Sequence, residues 1–259
     1  MTSNCTEKEV LIIIPAYNER GQLEKLITKL RTPEITQIAD ILVMNDASTD
    51  GTNRAINKKS VAVVTHVFNL GYGSGLQLGY KYAIRRGYKY VIQMDADGQH
   101  DPSNVLRIYQ ALNTTDASGK SPDIVLGSRF MEGSTPYQMS WIRRTAIRMF
   151  SHLICLVSGK RISDPTSGLQ GLNRKAILYY SKYNGFDDRY PDANVIMQML
   201  LLGFSIDEIP AEMHQRLGGI GMHYGLKTVI YMFRMGLSIL AVLIRIKVLK
   251  LETGQVDDI

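Results

Sequence analysis

The first half of the chain alternates short apolar runs with segments whose apolar positions recur at helical spacing. The apolar runs, rich in Val and Ile, predict buried strands at residues 10–14, 38–44, 61–65, 90–94 and 123–126. The segments between them predict helices at residues 21–30, 52–58, 74–86 and 102–112. Strands that alternate with helices of this length indicate an α/β fold, with a mostly parallel sheet and helices on both of its faces.

Polar clusters follow the predicted strands at residues 15–19, 45–51, 95–100 and 127–129. In open α/β sheets, ligands bind beyond the carboxyl ends of the strands. We therefore expect these clusters to meet at one edge of the sheet and to form the functional site there.

The strongest of these clusters contains two carboxylates, Asp95 and Asp97, directly after a strand. Two carboxylates this close can converge on a hard divalent cation such as Mg²⁺ or Mn²⁺, which also bridges to substrate phosphates. Gln99 and His100 follow at once and are placed to complete or orient that site. The alternative is a solvated acidic turn, but the position after a buried strand favours a metal site.

Two further clusters each have a structural and a functional interpretation. Asp46 is a candidate acceptor for hydrogen bonds from a base or ribose, while Thr49 or Asp50 is expected to cap the next helix. The glycine-rich run at residues 71–75 departs from a dinucleotide fingerprint, because Leu76 and Leu78 stand where its last glycine is required. It favours close backbone packing or the approach of a phosphate.

The net charge and the composition of the chain restrict the classes of partner that it is expected to bind. Thirty Lys and Arg residues against 24 Asp and Glu residues give a net charge of +6, which favours anionic partners. Two cysteines exclude a disulfide framework. The N-terminal residues lack the apolar core of a signal peptide, so we expect the protein to act in the cytoplasm.

The C-terminal part differs from the rest, because residues 226–251 are apolar with sparse cations. At helical spacing, Lys227, Arg234, Ser238 and Arg245 fall on one stripe, which predicts a helix at an anionic membrane surface with its cations towards the headgroups. Packing on the domain or in a homo-oligomer would use the same apolar surface. We therefore divide the chain into a catalytic domain, 1–223, and a C-terminal amphipathic helix, 224–259.

Six motifs occur in order: PAYNE at 15–19, NDASTDGT at 45–52, NLGYG at 69–73, DADGQHDP at 95–102, GSR at 127–129 and DPTSG at 164–168. Together they resemble the family 2 glycosyltransferases of the GT-A fold, a Rossmann-like α/β fold. The resemblance is nearest to the polyprenyl-phosphate branch, which includes enzymes like dolichol-phosphate mannose synthase. It extends over about residues 10–216.

The resemblance implies an inverting, metal-dependent transfer of a sugar from a nucleotide sugar, with UDP preferred over GDP. The implied nucleotide-binding residues are Pro15, Tyr17, Glu19, Asp46, Asp95 and Arg216. The implied metal ligands for Mg²⁺ or Mn²⁺ are Asp95, Asp97 and Gln99, of which Asp97 is also catalytic. Nucleic acid is excluded as a partner, since the chain contains no motif that would recognise bases along a nucleic-acid strand.

The implied acceptor is a polyprenyl phosphate at the inner face of the cell membrane. Such a phosphate is already an anion and needs cations rather than a general base. The candidate cations are Arg129, Arg143, Arg144 and Arg148, of which Arg144 and Arg148 share a helix face.

Two other functions remain open. With a saccharide hydroxyl as acceptor, Asp164, Asp188 or Asp192 is the candidate base, and Asp164 is equally suited to a structural cap. In a different class, the protein would be a silent nucleotide-sugar-binding protein that recruits membrane partners. The intact pair of Asp95 and Asp97 argues against that last function.

Overall fold

The structure, a computed structural model, describes residues 8–57, 61–135, 138–182, 185–188, 191–215 and 226–251. The strands are β1 (Val10–Ala16), β2 (Ala39–Asn45), β3 (Ala62–Thr65), β4 (Tyr90–Gln93), β5 (Ile124–Ser128), β6 (Gln170–Asn173) and β7 (Ile206–Pro210). The α-helices are α1 (Arg20–Lys29), α2 (Pro33–Ile38), α3 (Thr52–Asn57), α4 (Tyr72–Arg86), α5 (Ser103–Asn113), α6 (Trp141–Ser158), α7 (Arg174–Ser181), α8 (Ala193–Leu201) and α9 (Leu226–Leu243). A π-helical segment, Ile244–Val248, continues α9.

The seven strands form one sheet in the order β3-β2-β1-β4-β6-β5-β7. β6 is antiparallel to both of its neighbours, and the remaining pairs are parallel. The strand order reverses at β1, because β2 and β3 lie on one side of it and β4 lies on the other. A ligand crevice is expected at such a reversal, beyond the carboxyl ends of the strands. The predicted α/β class and mostly parallel sheet are confirmed.

The burial of β1 on both of its faces explains why its sequence is an unbroken apolar run. Leu11 and Ile13 face the core on one side of the sheet, while Val10, Ile12 and Ile14 face the core on the other. All five are fully buried. A parallel strand covered on both faces needs apolar residues at every position. The helices that cover the first face include α4 and α6 to α9, and those that cover the second include α1 and α5.

The hydrophobic pattern did not predict α2, β6, α7 or α8. β6 has the sequence QGLN, with too few apolar positions to be recognised as a strand. Its Gly171 lies against α5, where an added Cβ would come within 2.1 Å of Ile108 Cγ2. The strand therefore depends on a close approach of helix and sheet that no periodicity reveals.

Helix α9 packs on α8 and shares the core of the α/β domain. Met235, Ile239 and Val242 line its inner face and are almost fully buried. The predicted stripe of headgroup-facing cations is wrong at Arg245, because its Nη2 donates to Gln198 Oε1 of α8 at 2.8 Å. Ser238 also faces α8, as the acceptor of a hydrogen bond from Asn194. The Lys227 side chain lies outside the described residues.

The outer face of α9 is apolar as well. Its exposed side chains are Ile230, Phe233, Leu237 and Leu240, followed by Ile244 and Val248 in the π-helical segment. Of the helices in the described ranges, none is both long and apolar enough to cross a membrane. An apolar helix with an uncovered side favours contact with a second surface.

Candidate active site

The predicted polar clusters meet at the carboxyl edge of the sheet. β1 and β2 end side by side, with Ala16 paired to Asn45, and β4 lies next to β1. The loops after these strands carry Tyr17, Asp46 and Asp95 to the two sides of the strand-order reversal. The site is therefore built where the fold places a ligand crevice.

The loops after β1 and β2 are tied together by hydrogen bonds. Asn18, in the left-handed region with φ 55°, accepts the Thr49 N–H at 2.9 Å. Asp50 accepts the backbone N–H groups of Thr52 at 3.0 Å and of Arg20 at 3.1 Å. Asp50 thus caps the start of α3, as the sequence predicted, and also joins the start of α1. Beside this junction, Tyr17 is half exposed.

Asp46 has a structural task that the sequence did not reveal. Its Oδ1 lies 2.8 Å from His66 Nδ1 and accepts the Leu70 N–H at 2.8 Å, and its Oδ2 accepts the Gly71 N–H at 2.9 Å. The carboxylate is buried and holds the loop after β3 in place. A contact from Asp46 to the base or ribose would have to share these bonds. Pro15 is likewise buried within β1.

Asp95 ends a chain of three hydrogen bonds that begins in the core and becomes partly exposed. Tyr80 donates to Gln93 at 2.7 Å, Gln93 donates to the Tyr72 hydroxyl at 2.9 Å, and Tyr72 donates to Asp95 Oδ1 at 2.8 Å. His100 Nε2 lies 3.2 Å from Asp95 Oδ2. Burial raises the pKa of Asp95, but His100, Tyr72 and the charge of Arg129 outweigh it and hold that pKa below its usual value. The carboxylate is therefore ionised and held in a fixed orientation.

Two glycines are required around Asp95 because other groups pass close to them. A Cβ on Gly168, in the DPTSG motif, would lie 2.5 Å from Asp95 Oδ2. A Cβ on Gly73 would lie 2.2 Å from the carbonyl oxygen of Asp187. Next to it, the Ser74 N–H donates to the Asp188 carbonyl at 3.0 Å. Close backbone packing is thus the role that the structure shows for the glycine-rich run.

The donor set around Asp95 fits a hard divalent cation. Asp97 lies in the same half-buried turn, and its Oδ1 accepts the Gln99 N–H at 3.0 Å. His100 Nδ1 is buried and has no hydrogen-bond partner among the described residues. Within those ranges, no three His, Cys, Asp or Glu side chains group closely enough to enclose a metal alone. A site of two carboxylates and an amide suits Mg²⁺ or Mn²⁺, which take further oxygen ligands from substrate phosphates.

Arg129 and Asp164 form a buried ion pair. Arg129 Nε and Nη2 donate to the two carboxylate oxygens at 2.6 and 2.7 Å, and the side chains are 6% and 0% exposed. Glu208 fixes the loop by accepting the Ser163 and Asp164 N–H groups at 2.7 and 3.0 Å. These bonds give Asp164 a structural role, which favours the cap offered for it over the role of a general base. The Nε and Nη2 groups of Arg129 are therefore directed at Asp164 and are not presented to a phosphate.

Asp192 lies at the start of α8, in the charged part of the site. Tyr231 of α9 donates a hydrogen bond to Asp192 Oδ2. Burial is the largest cause that raises the pKa of Asp192 to about 6, against the Tyr231 hydrogen bond and the charge of Arg143. Asp95 raises this pKa and Arg129 lowers it, so both lie within electrostatic range. Tyr231 was not predicted as a site residue, and its only signal in the sequence is a hydroxyl four residues before Met235 on the inner face of α9.

The other predicted residues are dispersed around this centre. Arg143 is half-buried near Asp192, whereas Arg144 and Arg148 are exposed on α6. Glu19 is half-buried just before α1, and Asp188 is exposed. Arg216 lies outside the described residues.

Comparison with known proteins shows which family this chain belongs to and which solved structures share its fold. Over 247 residues the chain is 31% identical to undecaprenyl-phosphate mannosyltransferase of Micrococcus luteus, covering 88% of this chain and 94% of that protein. It is 27% identical over 228 residues to polyprenol monophosphomannose synthase of Mycolicibacterium smegmatis, covering 84% and 82%.

In fold, it is similar to glucosyl-3-phosphoglycerate synthase of Mycobacterium tuberculosis, solved with Mn²⁺, UDP and glucosyl-3-phosphoglycerate. The TM-score is 0.66 at 17% identity, over 92% of this chain and 80% of that one. This likeness confirms the predicted GT-A fold. The model of glycosyl transferase family 2 matches residues 11–179. The order of the motifs, the sheet and this match agree, and the chain therefore belongs to glycosyl transferase family 2.

Proposed function

We propose that this protein transfers a sugar from a nucleotide sugar to a polyprenyl phosphate, with inversion at the anomeric carbon. The observation that carries the proposal is the half-buried Arg143, at the start of α6, within electrostatic range of Asp192. A cation at that place suits an anionic acceptor. The names of the Micrococcus luteus and Mycolicibacterium smegmatis relatives support a polyprenol acceptor.

The nucleotide-sugar donor would lie in the crevice at the strand-order reversal, beyond the carboxyl end of β1. Tyr17 and Glu19 flank the nucleotide side of the crevice, and Asp95 and Asp97 face the diphosphate. We propose UDP as the nucleotide, a choice supported by the UDP in the structure of the Mycobacterium tuberculosis synthase. Asp95, Asp97 and Gln99 would hold Mg²⁺ or Mn²⁺, which supplies charge neutralisation for the departing diphosphate.

The acceptor side needs cations more than it needs a base. A phosphate monoester is an anion at neutral pH, so its oxygen can attack without losing a proton to the protein. Arg143 is the proposed direct contact, because its guanidinium makes no hydrogen bond to another described residue, whereas Arg129 is paired with Asp164. Arg144 and Arg148 would act from the exposed side of α6.

A hydroxyl acceptor is the second candidate, and one observation favours it. The pKa of Asp192 is raised to about 6, chiefly by burial, and a carboxylate with that pKa is suited to accept a proton near neutral pH. In this version of the reaction, Asp192 would be the general base for a saccharide hydroxyl.

Replacing Asp192 by asparagine separates the two acceptors. With a polyprenyl phosphate we expect Asp192→Asn to keep kcat within about threefold, because no proton has to be removed. With a hydroxyl acceptor, loss of the base is expected to lower kcat by about 10² to 10⁴. The measurement is transfer of radiolabelled sugar from UDP- and GDP-sugars to undecaprenyl phosphate and to free saccharides. Labelling of saccharides alone by the wild-type protein would contradict the proposal.

We further propose that the outer faces of α6 and α9 contact an anionic membrane, at the inner face of the cell membrane. Trp141 and Leu156 of α6 are 76% and 71% exposed, and Phe233 of α9 is 69% exposed. Exposed cations lie on these helices, at Arg144, Arg148 and Arg234, and in the segment that follows α9, at Lys247 and Lys250. An apolar face with flanking cations fits a lipid surface with anionic headgroups.

The membrane contact is tested with point variants, because deletion of α9 would remove Met235 and Ile239 from the core. Burial of one large apolar side chain contributes about 1.5 to 3 kcal/mol. We therefore expect Phe233→Ser with Leu237→Ser to weaken sedimentation with anionic liposomes at least about tenfold. Phe68→Ser is the matched control, since Phe68 is 75% exposed on the loop after β3. Unchanged liposome binding, or a loss of dimers instead, would contradict membrane contact.

A further inference from the structure

Helix α9 reaches the active site through the Tyr231 hydroxyl. That hydroxyl donates to Oδ2 of Asp192, the residue that precedes α8. Asp192 is also held through its backbone, since its N–H donates to Asn194 Oδ1 at 3.0 Å. The position of this carboxylate is therefore determined by two elements, one of which is the C-terminal helix.

A second contact joins the same helix to the same loop. Asn194, 2% exposed, donates from Nδ2 to Ser238 Oγ of α9 and to Asp187 Oδ2, both at 2.7 Å. Asp187 belongs to the loop that packs on Gly73 at the start of α4. Buried polar networks of this kind hold their members in one arrangement when every bond is made. The position of α9 on the domain and the geometry around Asp192 are thus linked.

The groups within electrostatic range of Asp192 come from five elements of the fold. They are Tyr231 of α9, Arg143 of α6, Tyr72 of α4, Asp95 after β4 and Arg129 after β5. The guanidinium groups of Arg143 and Arg129 both attract this carboxylate. A turn of Asp192 towards Arg143 would neutralise the cation that the acceptor phosphate needs.

We propose that Tyr231 is a positioning residue, which holds the Asp192 carboxylate so that Arg143 stays available to the acceptor phosphate. The inference rests on the proposed polyprenyl-phosphate acceptor, and it extends the active site to the C-terminal helix. Hydrogen bonds to a carboxylate are about twice as strong as those between neutral groups, so one hydroxyl is enough to decide this orientation. The phenol acts through Asp192 and does not touch the reacting atoms.

The kinetic test is Tyr231→Phe, which removes the hydroxyl and keeps the ring. We expect KM for polyprenyl phosphate to rise about tenfold, while KM for the donor and kcat stay within about twofold. In an Asp192→Asn background the same change should have no further effect, because the residue through which Tyr231 acts is gone. A tenfold rise that persists in that background would overturn the inference, since Tyr231 would then act through packing.

A second readout needs no turnover. Carbon-13 NMR of labelled aspartate carboxyls follows the titration of Asp192, which is assigned by its absence in Asp192→Asn. The wild-type carboxyl is expected to titrate with a pKa of about 6. Because the Tyr231 hydrogen bond lowers this pKa, its loss in Tyr231→Phe should move the midpoint to higher pH. An unchanged midpoint would overturn the inference.

The matched control is Tyr88→Phe. Tyr88 is also buried, and its hydroxyl donates to Asp40 Oδ2 at 2.8 Å, near the opposite edge of the sheet. This variant should leave the acceptor KM and the Asp192 titration unchanged. If the wild-type protein labels no polyprenyl phosphate, the proposed function fails, and the NMR shift then decides separately whether Tyr231 positions Asp192.

Discussion

Asp97→Ala is expected to abolish sugar transfer while leaving the fold intact. Asp97 and Asp95 are the two carboxylates at the crevice, and a divalent cation held by only one of them would lose its place against the diphosphate. Removal of a single electrostatic contact to developing charge lowers kcat by about 10² to 10³ in other enzymes. We expect a loss of at least about 10³-fold here, because metal and diphosphate are displaced together. The measurement is transfer of labelled sugar at saturating Mn²⁺.

The control for this variant is Asp207→Ala. Asp207 is an exposed surface carboxylate, 3.1 Å from Lys160, and surface pairs of this kind contribute little to stability. Both variants should therefore unfold at nearly the wild-type temperature, because Asp97 is half-buried in a turn outside the core. Near-normal turnover by Asp97→Ala would refute the metal-dependent mechanism, whereas no turnover by the wild-type protein would favour the silent-binding alternative.

Asp164→Ala is expected to cause the largest loss of stability. It leaves the Arg129 guanidinium, 6% exposed, without the carboxylate that accepts its fork. Removal of one partner from a buried ion pair costs about 3 to 5 kcal/mol, since an uncompensated charge remains in the interior. For a chain of this size, each kcal/mol lowers the melting temperature by about 2 to 4 °C. Thermal unfolding should therefore shift down by about 10 °C.

The pair Arg129→Met with Asp164→Leu is the companion experiment. Because it removes both charges together, most of the lost stability should return. Asp207→Ala again serves as the surface control, with an expected change below about 1 kcal/mol. A loss of under 1 kcal/mol for Asp164→Ala would show that the ion pair is not important for the fold.

Local sequence patterns were sufficient where one element alone satisfies its residues. The buried run of β1 and the Asp50 cap of α3 were predictable, because strand burial and helix capping are decided by a few adjacent positions. The motif order was enough to predict the family. β6 and α8 were missed, because β6 depends on the fit of Gly171 to α5 and α8 is buried on nearly every side.

The candidate site divides in the same way. Asp95 and Asp97 could be predicted from their place after a strand. The partners of Asp46, Arg129 and Asp192 could not, because each pairs with a residue at least 20 positions away. Arg129 and Asp164 both stood out as motif residues, yet only the structure showed that they neutralise each other.

The sequence by itself determined the class of the protein: an α/β sheet, a carboxylate pair at its edge, a motif order typical of one family and a C-terminal segment that is apolar with sparse cations. Hydrophobic periodicity and short-range motifs carry that information, because they record what each element needs locally. Only the tertiary structure decided which charged side chains pair with each other, and which side of α9 faces the core. Those outcomes depend on distances between remote residues, and close packing across the sheet sets those distances.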